Sequence, residues 1–289
     1  MPDLGRPYRF RGWAFSPLGF IRRVFLGGYE DNIPFLASGL TFETLLWVLP
    51  LLLVALSALG YVVGGTEDPS EVMRAVTGIF LPSTHGMETP LSAVQHAFVQ
   101  VVESRAQLSI YGVPFFAWFS WRLFGSVRAA LNDVFDTEET RSWVVGKVVD
   151  LGLGLAAAVL VSANTVMTIR VLRAPWAGRF AAGLLAYVAI TLLFFLVYSV
   201  APGRRPRWDT ALVAALFASL GFEIAKRLYG IYLVEFVTYD RLISNTNVIA
   251  ILLFVLWVYA SAVIFLAGGE VAETYDLARR QREQRAMLG

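Results

Sequence analysis

Six long runs of apolar residues follow one another along the 289-residue chain, separated by more polar segments. They cover about residues 34–63, 108–127, 144–169, 180–200, 209–232 and 248–267. A helix needs roughly 20 mostly apolar residues to cross the hydrocarbon core of a bilayer, and each run meets that length. The runs are continuous rather than alternating, which disfavours the strands of a membrane barrel. The pattern predicts an all-α polytopic membrane bundle with six transmembrane helices.

A shorter amphipathic stretch precedes the first run. Apolar side chains between Phe15 and Leu26 recur near helical spacing, and Arg22 and Arg23 lie between them. An apolar face beside arginines is typical of a helix that lies in the membrane surface with its cations at the lipid phosphates. We therefore predict an N-terminal interfacial helix, with an ordinary cytoplasmic arm as the alternative.

The longest polar segment, residues 64–107, joins the first two runs. Apolar residues repeat at i, i+3, i+4 and i+7 from Val72 onwards, and the repeat recurs from Val94 to Val101. This periodicity predicts an external loop with two amphipathic helices, separated by Pro82–Pro90. The helices would either cap the external mouth of the bundle or pack only against the spans.

The distribution of arginine and lysine predicts the orientation. Most of those outside the runs lie in the N-terminal arm, in residues 128–147 and 204–207, and in residues 279–285. These segments share one side of a six-span bundle, and basic loops are retained in the cytoplasm, so both termini are predicted to be cytoplasmic. The loop with Arg170, Arg173 and Arg179 would be external in this orientation, so its arginines argue against it. The predicted organisation is an arm at 1–33, a transmembrane domain at 34–270 and a tail at 271–289.

Composition narrows the class of protein. Hydrophobic residues make up 57% of the chain and charged residues 16%, which excludes an ordinary soluble domain. There is no cysteine, so thiol chemistry, iron–sulfur clusters and cysteine zinc sites are excluded. The net charge of +2 is too small to indicate nucleic-acid binding. His85 and His96 lack metal-ligand spacing and no GxSxG, P-loop or GxGxxG motif is present, so we predict no catalytic residue, metal or cofactor.

Ionic residues inside the apolar runs are the first candidate binding residues, because a charge at mid-bilayer costs on the order of 2.5–3.5 kcal/mol. Glu43 and Arg122 both lie toward the inner leaflet in the first and second runs, where they could pair. Snorkelling of Arg122 to inner headgroups is the alternative. Asn132 continues the helical face of Arg122, and Asn164 in the third run would bond across the bundle or touch a ligand.

The fifth run carries a second ionic group. Glu223, Lys226, Arg227 and Gly230 share one helical face, at i, i+3, i+4 and i+7. One positive charge is left over, so the face suits a phosphate, a carboxylate or an anionic headgroup. The alternative is local salt bridging with the cations reaching the headgroup region.

Three further patterns are interpreted as packing or as solvated surface. The small residues Gly154, Ala158 and Ser162 would allow a close helix contact. Glu270, after two glycines at the end of the sixth run, is predicted to pack against basic loops. The acidic residues between 133 and 139 are predicted to form a solvated inner loop.

Short motifs spread over about residues 28–275 resemble those of a known family. They are Glu30-Asp31-Asn32, Leu36 to Phe42 and Leu49-Pro50-Leu51; Phe80-Leu81-Pro82; Ala129 to Asn132 with Glu138, Glu139 and Arg141; Tyr198, Pro202, Trp208, Glu223, Lys226 and Tyr232; and Trp257, Tyr259, Gly269 and Glu270. Their order and spacing resemble the YihY/BrkB family of bacterial inner-membrane proteins, historically labelled ribonuclease BN. The turn Tyr239 to Asn245 and the closing Ala267-Gly268-Gly269-Glu270 depart from the family pattern.

The resemblance implies six spans with cytoplasmic termini in the bacterial inner membrane, and associations with envelope integrity and lipid export. The leading hypothesis is a non-enzymatic transporter or exporter of an anionic amphiphile such as a lipid. Glu43, Arg122, Glu223, Lys226 and Arg227 would line one cavity, with membrane lipids as partners. The alternative is a scaffold that binds an envelope protein. A membrane hydrolase or ribonuclease ranks third, since no residues support it.

Overall fold

The computed structural model describes residues 17–64, 104–137, 142–173, 176–203, 206–239 and 246–288. This part of the chain consists of seven α-helices and contains no strand. The helices are α1 Pro17–Glu30, α2 Ile33–Gly64, α3 Arg105–Val134, α4 Trp143–Arg173, α5 Trp176–Val200, α6 Trp208–Tyr239 and α7 Thr246–Leu288. The all-helical class predicted from the apolar runs is therefore confirmed for these residues.

Four helices contain a stretch long and apolar enough to cross a membrane. The stretches are Ile33–Ala55 in α2, Trp143–Leu160 in α4, Gly183–Val200 in α5 and Leu252–Gln284 in α7. They coincide with the first, third, fourth and sixth predicted spans. The second and fifth predicted spans fall on α3 and α6, which are 30 and 32 residues long and carry ionic side chains near their middle. The two helices predicted in the loop 64–107, and both histidines, lie outside the described residues.

The predicted N-terminal helix is present as α1, and a tight turn joins it to α2. Asn32 adopts a left-handed backbone conformation with φ of 52°, which stops α1. Its carbonyl accepts hydrogen bonds from Phe35 N at 2.9 Å and Leu36 N at 3.1 Å, so the same residue opens α2. Asp31 N donates to Gly27 O at 2.8 Å. These bonds hold Asp31 in one position at the end of α1.

The chain divides into two compact units. The first consists of Met1–Thr41, Ser126–Trp143 and Ile190–Gly289, and the second of Phe42–Gly125 and Val144–Ala189. In the described part of the first unit, α6 and α7 form the central pair of helices. Helix α1 and the ends of α3 and α5 also belong to this unit. The second unit contains most of α2, α3 and α4 and the beginning of α5.

Small residues allow α6 and α7 to approach closely in the first unit. Ala214 and Ala218 of α6 are fully buried. A Cβ at Gly268 of α7 would lie 3.1 Å from both Ala214 O and Ala218 Cβ, and 2.5 Å from the Tyr198 hydroxyl. The Tyr198 hydroxyl donates a hydrogen bond to the Phe265 carbonyl. Close backbone approach at small residues is how helices pack when lipid removes the hydrophobic drive between them.

A buried polar contact joins α2 to α3 in the second unit. Trp47 Nε1 of α2 donates to Ser120 Oγ of α3 at 2.8 Å, and Ser120 is fully buried. A Cβ at Gly154 of α4 would lie 2.6 Å from Ser120 Cβ, so α4 meets α3 there through a glycine. The close helix contact predicted at Gly154 is present.

Candidate functional site

The ionic face predicted on α6 forms a local salt-bridge group. Lys226 Nζ lies 2.6 Å from Glu223 Oε2, and Arg227 Nε lies 3.6 Å from Glu223 Oε1. The Arg227 side chain is 76% exposed, against 25% for Glu223 and 35% for Lys226. The single carboxylate neutralises one of the two cations, so a positive charge remains on this face.

These charges lie near the middle of α6. Glu223 is 15 residues beyond Trp208, about 22 Å along the helix axis. Leu220, Ile224 and Leu228 are more than half exposed and occupy neighbouring positions on the helix surface. The face therefore combines cations with an apolar stripe.

An aromatic cluster borders the same part of α6. Phe222 and Tyr229 each have their ring centroid 5.7 Å from that of Trp257 on α7. Lys226 lies on the helical face between them, at i+4 from Phe222 and i−3 from Tyr229. Trp257 Nε1 is buried and has no hydrogen-bond acceptor among the described residues. Cations beside aromatic rings suit an anionic group with an apolar body.

The predicted pairing of Glu43 with Arg122 is present in the second unit. Arg122 Nη2 lies 2.5 Å from Glu43 Oε1, and Arg122 Nε donates to Glu43 Oε2 at 3.1 Å. This two-point contact joins α2 to α3 in the geometry that is strongest for a guanidinium and a carboxylate. Glu43 is 13% exposed and Arg122 is 43% exposed. Whether either residue contacts a substrate stays a prediction.

The structure describes the side chain of only one of the two asparagines predicted as candidate binding residues. Asn132 is 8% exposed, and its Oδ1 accepts a hydrogen bond from Gly203 N at 2.8 Å. This bond ties the end of α3 to the connection after α5, which gives Asn132 a structural role that the sequence did not indicate. Asn164 lies on α4, and its side chain is outside the described part of the chain.

An acidic cleft in the first unit was missed by the sequence analysis. It has a volume of about 490 Å³ and is lined by Glu30, Asp31, Asn32, Asn132, Asp133, Asp136 and Thr137. It lies where α1 and α3 end, and Asp136, like Asn32, has a left-handed backbone with φ of 45°. The prediction that Asp133 and Asp136 belong to a solvated loop is therefore incomplete, because both line this cleft. Its charge is opposite to that of the predicted basic cavity.

Glu270 also differs from its interpretation as a residue that packs against basic loops. It is 2% exposed and lies against α1, where a Cβ at Gly27 would be 1.8 Å from its Oε1. Its close ionisable neighbours are Asp31 and Glu273 together with Arg23, so acidic groups outnumber basic ones. The contact between Asp31 and Glu270 joins residues 239 positions apart, which no local pattern indicates.

Comparison with known proteins places the chain among membrane proteins. The family model described as "Virulence factor BrkB" matches residues 25–288. A UPF0761 membrane protein of Rhodospirillum centenum is 29% identical over 282 residues, which is 92% of this chain and 59% of the relative. Another, from Alteromonas mediterranea, is 27% identical over 250 residues and covers 83% of this chain and 82% of the relative.

A third relative, the UPF0761 membrane protein of Chlorobium luteolum, is 28% identical over 268 residues, 87% of this chain and 58% of its own length. The chain thus spans about three fifths of the length of the curated relatives it matches first. No solved structure matches.

Proposed function

The chain belongs to the BrkB family and is an integral membrane protein, and from this premise we propose that it is a non-enzymatic transporter or exporter of an anionic amphiphile such as a lipid. Its location would be the bacterial inner membrane, with both termini in the cytoplasm. The cationic face of α6 would hold the headgroup. Membrane lipids would be its partners.

The proposal includes six spans, with α3 and α6 added to the four helices that contain a candidate membrane stretch. Both are long enough to cross the bilayer at 1.5 Å per residue. Both carry ionic side chains near their middle, and these side chains have partners: Arg122 pairs with Glu43, and Glu223 pairs with Lys226. Paired charges are the form in which ionic residues occur within membrane helices.

One observation carries the proposal: the surplus positive charge of Lys226 and Arg227 near the middle of a long apolar helix. A positive charge there is unfavourable unless an anion or water compensates it. The guanidinium of Arg227 is the most exposed part of the group and offers several N–H donors to a phosphate or carboxylate. The exposed stripe of Leu220, Ile224 and Leu228 would contact an acyl chain beside it.

Glu223 would control the charge of the empty site. When no ligand is bound, its carboxylate accepts from Lys226 at 2.6 Å and partly neutralises the pair. An arriving anionic headgroup would compete with Glu223 for the same donors, so binding would be reversible rather than tight. The sequence contains no ATPase motif, so movement would be passive, coupled to an ion or driven by a partner protein.

A flux assay in reconstituted liposomes tests the proposal. Wild type should accelerate the transfer of a labelled anionic lipid between leaflets more than that of a zwitterionic one, and Lys226→Ala/Arg227→Ala should abolish the difference. Arg280→Ala/Arg282→Ala removes two positive charges from the end of α7 and serves as the matched control. Equal transfer by wild type and the Lys226/Arg227 variant would show that the proposed site is wrong.

A scaffold role is the second candidate, and the packing of the second unit favours it. Trp47, Ser120 and Gly154 interlock three helices with no space for a ligand at that point. A scaffold would show no lipid transfer above protein-free liposomes for either lipid. That outcome would replace transport by a structural role in the envelope.

A further inference from the structure

A second cluster of ionisable side chains lies where α1 meets α7. One carboxylate oxygen from each of Asp31, Glu270 and Glu273 lies within 4.8 Å of the other two. Glu270 is 13 residues beyond Trp257 on α7, about 20 Å along the helix, so this cluster is separate from the cationic face of α6. Three carboxylates at this separation repel one another unless a cation or a proton lies among them.

The burial of Glu270 makes this more than a surface acidic patch. Its side chain is 2% exposed, and Oε2 has no hydrogen-bond donor among the described residues. A buried carboxylate oxygen without a donor is costly, because it has lost its water and gained nothing in return. A buried oxygen without a donor, on a side chain that lies beside two other carboxylates, is an arrangement that a bound cation satisfies.

Glycine at position 27 makes room for this carboxylate. A Cβ there would lie 1.8 Å from Glu270 Oε1 and 2.6 Å from its carboxyl carbon. Any other residue would force the Glu270 side chain to move away from α1. The neighbouring Gly28 has no such contact, since a Cβ there would meet only Ile33, with the end of its side chain at 3.1 Å.

The acidic cleft provides a route to the cluster, because Asp31 belongs to both. Glu30, Asp133 and Asp136 line the same cleft. The ends of α1 and α3 also direct their partial negative charges toward it, as the C-termini of helices do. The potential in the cleft is therefore negative and attracts cations toward Asp31.

We propose that Asp31, Glu270 and Glu273 form a binding site for a hard divalent cation. Carboxylate oxygens are the ligands that Ca²⁺, Mg²⁺ and Mn²⁺ prefer. Arg23 is a positively charged neighbour of Glu270, and a divalent cation would add two further positive charges beside the three carboxylates. A bound ion would fasten α1 to α7.

The chemistry of the ligands favours Ca²⁺ over Mg²⁺. Each of the three carboxylates offers one oxygen within 4.8 Å of the others. Ca²⁺ accepts several carboxylate oxygens in a flexible geometry, whereas Mg²⁺ demands near-ideal octahedral geometry and gives up its waters reluctantly.

Binding of the metal alone to the purified protein tests the proposal. After treatment with a chelator, bound Mn²⁺ is measured by its paramagnetic resonance signal, and Ca²⁺ and Mg²⁺ are added as competitors. Wild type should show one saturable site, displaced by Ca²⁺ at lower concentration than by Mg²⁺. Glu270→Gln should weaken Mn²⁺ binding by on the order of 10–100-fold or more.

Two matched pairs of variants separate the site from general electrostatics. Glu30 is next to Asp31 in the chain but lines only the cleft. Glu30→Gln should therefore leave the affinity for Mn²⁺ little changed, whereas Asp31→Asn should weaken it. Gly27→Ala should abolish binding without changing any charge, whereas Gly28→Ala should retain it. If Glu270→Gln does not fold, Asp31→Asn and Gly27→Ala carry the same test.

Two results would overturn the proposal. One is the absence of saturable Mn²⁺ binding in wild type, which is the outcome expected if the carboxylates share only a proton. The other is equal affinity for wild type, Asp31→Asn and Gly27→Ala, which would place the ion elsewhere.

Discussion

Replacing Arg122 by methionine should destabilise the second unit by leaving Glu43 without its partner. Methionine keeps much of the length of the arginine stem but removes all its donors. Both oxygens of Glu43 currently accept from Arg122, at 2.5 and 3.1 Å. After the substitution a carboxylate that is only 13% exposed has to find a proton, water or a new donor.

The size of the effect follows from how enclosed the pair is. A solvent-exposed ion pair contributes about 0.2–1 kcal/mol. An unpaired charge in the middle of a membrane helix costs about 2.5–3.5 kcal/mol. Because Glu43 is enclosed while Arg122 is 43% exposed, we expect an intermediate loss of about 2 kcal/mol.

A double-mutant cycle isolates the pair. The free energy of unfolding is measured in mixed micelles for Arg122→Met, Glu43→Gln and the double variant. The double variant should be more stable than Arg122→Met, because no buried charge is left, with a coupling energy of about 1 kcal/mol or more. Arg122→Lys should fall between wild type and Arg122→Met, since it keeps the charge and loses the two-point contact. Additive single effects would refute this reasoning.

Two further predictions concern packing and a salt bridge, both read from unfolding midpoints. Gly154→Ala should destabilise the protein by about 1–3 kcal/mol through overpacking, because the new Cβ would lie 2.6 Å from the Cβ of Ser120. Gly152→Ala should have no such effect, because a Cβ at position 152 meets nothing within 4 Å. Equal effects of the two substitutions would contradict the contact. Asp209→Asn should lower the unfolding midpoint, because Arg279 Nη1 lies 2.5 Å from Asp209 Oδ2, and the loss should be smaller when Arg279 is first replaced; an equal loss in both backgrounds would contradict the pairing.

Local patterns allowed the helices and the α6 group to be predicted. Each of the six apolar runs falls within a described helix, and four of these helices contain a stretch long and apolar enough to cross a membrane. The group at Glu223 was predictable because its members lie three and four residues apart on one helix, where spacing alone brings side chains together.

The hydropathy of the sixth run indicated only part of the length of α7. The sixth run ends near Ala267, but α7 continues to Leu288. Ion pairs one turn apart support this polar extension: Arg280 with Asp276 at 2.6 Å, and Arg279 with Glu283 at 2.9 Å. A helix can continue beyond its apolar part when its polar residues pair with one another.

Contacts between distant segments were harder to predict. Glu43 and Arg122 could be paired in advance because each charge within a membrane helix requires a partner and both lay at the same depth. Asp31 and Glu270 gave no such signal, since each lies next to polar residues at the end of an apolar run and looks like ordinary surface. Only the packing of α1 on α7 brings them together.

The central claim is that the surplus charge of Lys226 and Arg227 on α6 holds an anionic headgroup. The most direct test is native mass spectrometry of the protein released from nanodiscs that contain equal amounts of an anionic and a zwitterionic lipid. Wild type should retain the anionic lipid preferentially, and Lys226→Gln/Arg227→Gln should lose that preference while Arg280→Gln/Arg282→Gln keeps it. Retention of the same lipids by all three proteins would contradict the claim.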